Sequence, residues 1–234
     1  MSSDQCGHGS LPGCGRSINR YGDHTAACPR SGLLQKRAKP LERAWVRVTR
    51  EGVGADGQVV PQQWLAHTTA AISSQDRRRL DFVVYGADPR GRVLCCDATL
   101  VSPVCRDGSV HARADSEAGV CMRRACRRKR RRYSELLQPG PEELVVLACE
   151  VGGRWHRAAI EFVKRLVTIR VRRAPRLLRA SAAQAWSRRW WSLLSVACQD
   201  VVSASLVEGR HAPSTSPAGF NEPPLADVLT DAAR

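Results

Sequence analysis

The chain has 234 residues, 43% of them hydrophobic, with a formal net charge of +15, which is room for one generous domain or a domain with a small appendage. Aromatic residues make up only 5%, so Leu, Val and Ala must supply most of the core, and the positive field draws polyanions. The polar start Met1-Ser2-Ser3-Asp4-Gln5, the lack of an apolar run of spanning length and the wide scatter of ten cysteines argue against a secretory leader, a membrane helix and a disulfide scaffold. An intracellular, reduced protein is the expectation. Of the 37 basic residues 33 are Arg; Arg suits bidentate phosphate contacts, although genomic base composition can produce the same excess.

Residues 1–33 are rich in Gly, Cys and His and have no hydrophobic periodicity, so this stretch needs a metal or a neighbour to be ordered. Over 34–52, Leu34, Ala38, Leu41, Trp45 and Val48 recur at helical spacing, and Gly52 and Gly54 end the predicted helix. Residues 58–66 read as a short strand or irregular edge, because Pro61 argues against a central strand. LDFVVYG (80–86) and RVLCCDATLV (92–101) flank the turn ADPRG and predict an antiparallel hairpin. A loop over 102–112 leads to a predicted helix over 115–137, which Pro139-Gly140-Pro141 breaks. The apolar run ELVVLACEV (143–151) predicts a strand covered on both faces. Two helices follow, over 156–171 and 176–207, the second with Leu177, Leu178, Ala182, Trp186, Trp190, Leu194, Ala197 and Val201 near one stripe. The Pro-, Ser- and Gly-rich tail from Gly209 is expected to be loosely ordered. The fold class is therefore α/β, a mixed sheet flanked by helices.

Three constellations carry chemistry. Asp81 opens one strand of the hairpin, Asp97 sits late in the other, and the turn between them returns the chain so that the two can meet at one edge of the sheet. Paired carboxylates can hold Mg²⁺ and so activate water against a phosphodiester. A strand-start cap at Asp81 and a satisfied polar group at Asp97 is the plainer alternative, but the apolar frame VLCCDATLV makes a lone charge at Asp97 costly. Glu150 ends the later strand. The second constellation is basic: eight of the ten residues from Arg123 to Arg132 are Arg or Lys, namely Arg123, Arg124, Arg127, Arg128, Lys129, Arg130, Arg131 and Arg132. Same-sign charges so crowded repel, so a phosphate-backbone surface is expected, with a nuclear-import signal as the competing or additional role. Lys129, the one lysine of the run, is a compact point charge suited to a transferring phosphoryl group. The third is a Cys/His group, Cys14, His24 and Cys28, with Cys6 or His8 as a fourth ligand, of a type that suits structural Zn²⁺. Its spacing lacks a Cys-x-x-Cys pair, and unstructured cysteines are the alternative.

Several stretches together carry a family resemblance: YGDHTAACPRSG (21–32), LERAWVRVTREG (41–52), RRRLDFVVYG (77–86), RVLCCDATLVSP (92–103), RRKRRRYSEL (127–136), LVVLACEVGGRWHRAAIEFVKRL (144–166) and the Trp-rich last helix. In their order and spacing they resemble the C-terminal region of polyproteins of non-LTR (LINE-type) retrotransposons that carry a restriction-like endonuclease, as in the elements of dinoflagellate genomes. The resemblance implies a Cys/His knuckle followed by a restriction-endonuclease-like domain of the PD-(D/E)xK type that nicks target DNA. By residue it implies Asp81 and Asp97 as the two metal-binding acids, Lys129 with Tyr133 on the following helix as their partners, and Glu150 as an accessory acid. Leu80 stands where Pro is usual, Thr99 where a lysine is usual, and Pro12 and Gly13 where the knuckle's leading cysteine is expected.

The expected organisation is a zinc knuckle over 1–33, a restriction-endonuclease-like core over 34–171, a helical extension over 172–208 and a flexible tail over 209–234. The expected function is a Mg²⁺-dependent DNA endonuclease of retrotransposon origin acting in the nucleus, reached from the cytoplasm. The partners are DNA or RNA, without a membrane. The alternatives are a non-catalytic nucleic-acid-binding protein and an inactive remnant. The chain shows no strand-turn pair of adjacent aspartates of the reverse-transcriptase kind, so a polymerase belongs to the parent element by resemblance only, and a detached or truncated piece is expected.

Overall fold

Extended apolar segments leave backbone N–H and C=O groups that only pairing can satisfy. In the computed structural model, which describes residue 15 and residues 33–68, 72–105 and 109–208, four such segments join one sheet in the order β1-β2-β3-β4. These are β1 (Gln58–Pro61), β2 (Phe82–Tyr85), β3 (Val93–Val101) and β4 (Glu142–Glu150). β1 pairs antiparallel with β2, and β2 pairs antiparallel with β3 through Phe82↔Cys96, Val83↔Cys95 and Val84↔Leu94. β3 and β4 run parallel, in nine-residue register from Val93↔Glu142 to Val101↔Glu150. A parallel pair needs a crossover, and α2 (Val120–Arg132) supplies it. Pro61 lies at the end of the edge strand, where its missing N–H breaks no ladder.

The pleat sends alternate side chains to opposite faces, and each face has its own cover. On one, Phe82, Val84, Leu94, Cys96, Val145, Leu147 and Cys149 form a single core with α1 (Leu33–Val53), α3 (Arg157–Val171) and α4 (Arg179–Glu208). Trp45, Phe162 and Trp190 are among its largest members from the helices, each at most 3% exposed. Truncating a buried aromatic of this kind costs about 3–5 kcal/mol. On the other face, Met122 and Cys126 of α2 cover Val146 and Ala148, while Tyr133 and Leu136 join Leu65, Leu80, Val83 and Cys95. β4 is thus covered on both faces, as its unbroken apolar run predicts. The protein is α/β, with a four-stranded mixed sheet flanked by helices.

Several boundaries differ from expectation for local reasons. The helix over 115–137 is shorter: Gly119 at φ +74° precedes α2, and a 3₁₀ turn over Ser134–Leu137 follows it. Gly52 does not end α1, which runs to Val53; left-handed Gly54 (φ +57°) follows. Gly52 serves close packing instead, since a Cβ there would lie 2.9 Å from Cβ of Leu166 on α3. Leu177 and Leu178 precede α4, in a 3₁₀ turn, and are 96% and 57% exposed, so they are not part of its buried stripe. No helix among the described residues is long and apolar enough to cross a membrane. The Cys/His group Cys6, His8, Cys14, His24 and Cys28, and the tail from Gly209, lie outside the described residues.

Candidate active site

The hairpin register fixes the centre of the site. Phe82 faces Cys96, so one further step places Asp81 across from Asp97, where opposed side chains have Cβ atoms about 4.5–5.5 Å apart. Both point to the face that α2 covers, along with Val83 and Cys95. β2 begins at Phe82, and the Asp81 side chain extends the ladder one residue before it: its Oδ2 accepts a hydrogen bond of 2.7 Å from the Ala98 backbone N–H. Asp81 is therefore a strand cap in its local role as well as half of a carboxylate pair. Burial first, and then the charge of Asp97, push its carboxyl from 3.8 up to about 7, against the pull of the Ala98 N–H.

Asp97 is 1% exposed. Its charge is matched by Lys129, whose Nζ lies 2.6 Å from Oδ1. That approach is an ion pair without hydrogen-bond alignment, because the buried Oδ1 has no directed donor. Lys129 reaches Asp97 because α2 crosses over the β3–β4 pair with its Met122 and Cys126 side inward and its last turn beside Tyr133. The Tyr133 hydroxyl donates to the Arg79 carbonyl at 2.9 Å. Burial, followed by the Asp97 carboxylate, raises the phenol above its ordinary value, so it stays neutral. Asp81, Asp97, Lys129 and Tyr133 together line one cleft of about 380 Å³.

Glu150 does not join them. It pairs with Val101 while Asp97 pairs with Val146, which puts it four residues, or roughly 13 Å, farther along the sheet. There Arg154 Nη1 lies 3.4 Å from its Oε2. Of the arginines in the basic run, Arg132 lines the cleft. Arg127, Arg128, Arg130 and Arg131 make no ion pair with a described residue, and they lie toward solvent on the outer side of α2. Arg123 is held by Glu117 and the Ala118 carbonyl, and Arg124 donates to the Ala112 carbonyl at 3.1 Å. These two are tied to the loop before α2, so the cations of the run that are open to a ligand are its later members.

Arg77, Arg79, Gln62 and Trp64 also line the cleft, and sequence reasoning did not find them. The signal was present: residues 77, 79 and 81 share one side of an extended segment by its period of two. Arg78 faces the other way, clamped by Asp76 at 2.7 Å and Glu135 at 2.6 Å and donating to the Arg132 carbonyl. This clamp ties the segment before β2 to the end of α2, the two pieces that carry the acids' partners. Glu42 of α1 accepts a hydrogen bond from the Gln62 side chain and adds negative potential at Asp81.

Among the described residues no group of three or more His, Cys, Asp or Glu side chains stands in metal-binding array. Mg²⁺ asks for less, since one or two carboxylates with water and substrate phosphate suffice. The Asp81–Asp97 pair, with the buried undirected Oδ1, fits that donor set. A larger groove of about 760 Å³ between α3 and α4 is lined by Lys164 and small or uncharged residues such as Ala180 and Ser187. It holds no carboxylate, whereas the smaller cleft holds Asp81 and Asp97. Comparison with protein-family models gives no match, and comparison with curated proteins gives none either.

Proposed function

We propose that this chain is a metal-dependent, DNA-nicking endonuclease domain of the retrotransposon restriction-endonuclease-like kind. The observation that carries the reading is a carboxylate pair set into the sheet, with a lysine 2.6 Å from one member, opening into a cleft lined by Arg77, Arg79 and Arg132. An acid pair with a lysine from the following helix is the arrangement that the family resemblance implies, and the mixed sheet flanked by helices supports the same fold. Asp81 and Asp97 would hold Mg²⁺, which when bound lowers the pKa of water and offsets charge on phosphorus. Arg77, Arg79 and Arg132 gather phosphates at the mouth of the cleft. Lys129 neutralises a non-bridging phosphate oxygen, in the place that Thr99 cannot serve. Tyr133 stays protonated and keeps its hydroxyl on the Arg79 carbonyl, which fixes the strand beside the acids. Arg127, Arg128, Arg130 and Arg131 extend phosphate contact beyond the cleft, and the same run serves as a nuclear-import signal. A structural Zn²⁺ on Cys14, His24 and Cys28, with Cys6 or His8, rests on the resemblance and on ligand type.

One observation favours a second reading, a nucleic-acid-binding protein without cleavage: Lys129 already matches the charge of Asp97, so the site is not obliged to bind metal. Nicking of supercoiled plasmid separates the two. An endonuclease converts plasmid to open circles only with Mg²⁺ or Mn²⁺ and loses this with Asp97→Ala. A wild-type protein that binds DNA yet never nicks it in either metal establishes the binding reading.

A further inference from the structure

We propose that Trp64 is a base-stacking platform, and that the cleft therefore takes DNA whose bases are unpaired next to the phosphate held by the acids. The inference rests on the nucleic-acid reading above and adds the form of the substrate. Trp64 is 37% exposed and belongs to none of the three hydrophobic clusters. Its neighbour Leu65, fully buried, does the anchoring in that turn. The ring is instead part of the lining of the cleft that holds Asp81 and Asp97. The Arg79 guanidinium lies 5.3 Å from its centroid, so a cation and an aromatic face stand together within reach of the acids.

The platform is held in place by its backbone. Trp64 bridges Arg79 across an antiparallel contact, the Leu65 N–H donates to the Arg78 carbonyl at 2.9 Å, and the Leu80 N–H donates to the Gln63 carbonyl at 2.8 Å. Gln62, two residues before it, adopts φ +54°, a left-handed conformation uncommon for a residue with a side chain. A rigid backbone presenting an exposed indole costs little further ordering when a flat ligand arrives. Basic grooves with interleaved aromatics bind single strands by stacking, because every base has a π-face. Within a duplex those faces are already covered by neighbouring bases, so the ring can engage only a base that is frayed, flipped or single-stranded. A cleft of about 380 Å³ is at the small end of ligand sites and suits one nucleotide rather than a duplex.

The test is equilibrium binding of the full chain, with Ca²⁺ in place of Mg²⁺ so that the charge of the acids is balanced and no cleavage intervenes. The probes are an oligothymidylate strand, a strand of equal length in which the central nucleotides are abasic, and a duplex of the same length. The expected result is wild-type binding about tenfold tighter to the base-bearing strand, the scale of stacking one base on an aromatic ring. Trp64→Phe keeps most of that preference. Trp64→Ala abolishes it and leaves affinity for the abasic strand within about twofold. If Trp64→Ala does not fold, Trp64→Leu, which keeps bulk without an aromatic face, takes its place. A wild type that binds both strands equally, or an Ala or Leu variant that keeps the preference, overturns the proposal while leaving phosphate binding intact. A wild type that binds neither strand nor duplex overturns the nucleic-acid reading with it.

Discussion

Replacing Asp81 by Asn should stabilise the protein at pH 8 and change it little at pH 4. Burial and then the Asp97 charge raise the Asp81 carboxyl from 3.8 to about 7. A carboxyl raised in the folded state holds its proton more tightly there than in the unfolded chain. Native stability therefore falls as pH climbs from about 4 to about 7, and remains at the lower level above that. The more usual acid, depressed on folding, behaves in the opposite sense. A rise of about three in pKa, at 1.36 kcal/mol each, sets a ceiling near 4 kcal/mol. The residual exposure of the side chain and the nearby Lys129 reduce this, and about 2 kcal/mol is the expected gain for Asn, which keeps an oxygen for the Ala98 N–H. In a chain of this size that is a rise in Tm of roughly 4–8 °C. The assay is thermal unfolding of wild type and Asp81→Asn from pH 4 to pH 8 in metal-free buffer, read as the difference between the two proteins. A variant less stable than wild type at pH 8, or a gap that does not widen with pH, would refute the reasoning. Mg²⁺ at a hundred times Kd should close the gap and slightly reverse it, by stabilising wild type alone by about 2.7 kcal/mol.

Lys129→Ala leaves Asp97 buried without its counter-charge, which costs up to about 3–5 kcal/mol; the folded fraction should still bind DNA through the remaining arginines yet lose nicking, and a parallel fall of both would place Lys129 among simple phosphate tethers. Reversing charge at Arg127, Arg128 and Arg131 should weaken binding to all DNA sequences alike and reduce the salt slope by roughly one unit for each phosphate no longer engaged; an unchanged slope in a titration over salt would assign these side chains to solvent. Gly52→Ala should lower stability by about 1–2 kcal/mol in denaturant unfolding, because its Cβ would lie 2.9 Å from Cβ of Leu166 and overpacking outweighs a helix-propensity gain of about 1 kcal/mol; a stabilised variant would mean that α1 and α3 can move apart freely.

The hairpin was legible because its register follows from two apolar runs and one turn, and the opposition of Asp81 and Asp97 is arithmetic on that register. β4 was legible as a strand with two buried faces, since only such a strand tolerates an unbroken apolar run. Its parallel pairing with β3 was not, because the sequence of α2 shows a basic surface but not where the crossover lands. Sequence reasoning stopped at Asp81 and did not step back by two to Arg79 and Arg77, although the same alternation places all three on one side. Trp64 was hidden for another reason: it reads as an edge-strand hydrophobe, and only the backbone pairing with Arg79 brings it to the acids. Leu177 and Leu178 misled because Pro175 delays the start of α4, so their helical spacing belongs to residues that are not yet in the helix.

Charge counting explains why a lysine sits on one acid of the pair. With Asp81 and Asp97 ionised, Lys129 leaves the site one negative charge in excess, and burial makes that excess costly, which is what raises Asp81. A divalent cation on the carboxylates turns the balance to one positive charge. One phosphodiester then brings it to zero. The constellation is neutral with a proton on Asp81, or with both a cation and a phosphate in the cleft, but not with either ligand alone once that proton is gone. Cation and DNA should accordingly assist each other's binding above pH 7, where Asp81 is charged, and compete with its proton below. On the same reading the arginines at the mouth would add affinity for phosphate without changing this balance, because water screens these exposed side chains more than it does the acids. On the proposed endonuclease reading, the buried Asp97 and half-buried Asp81, not the larger number of surface charges, thus determine when the cleft is ready for a phosphodiester.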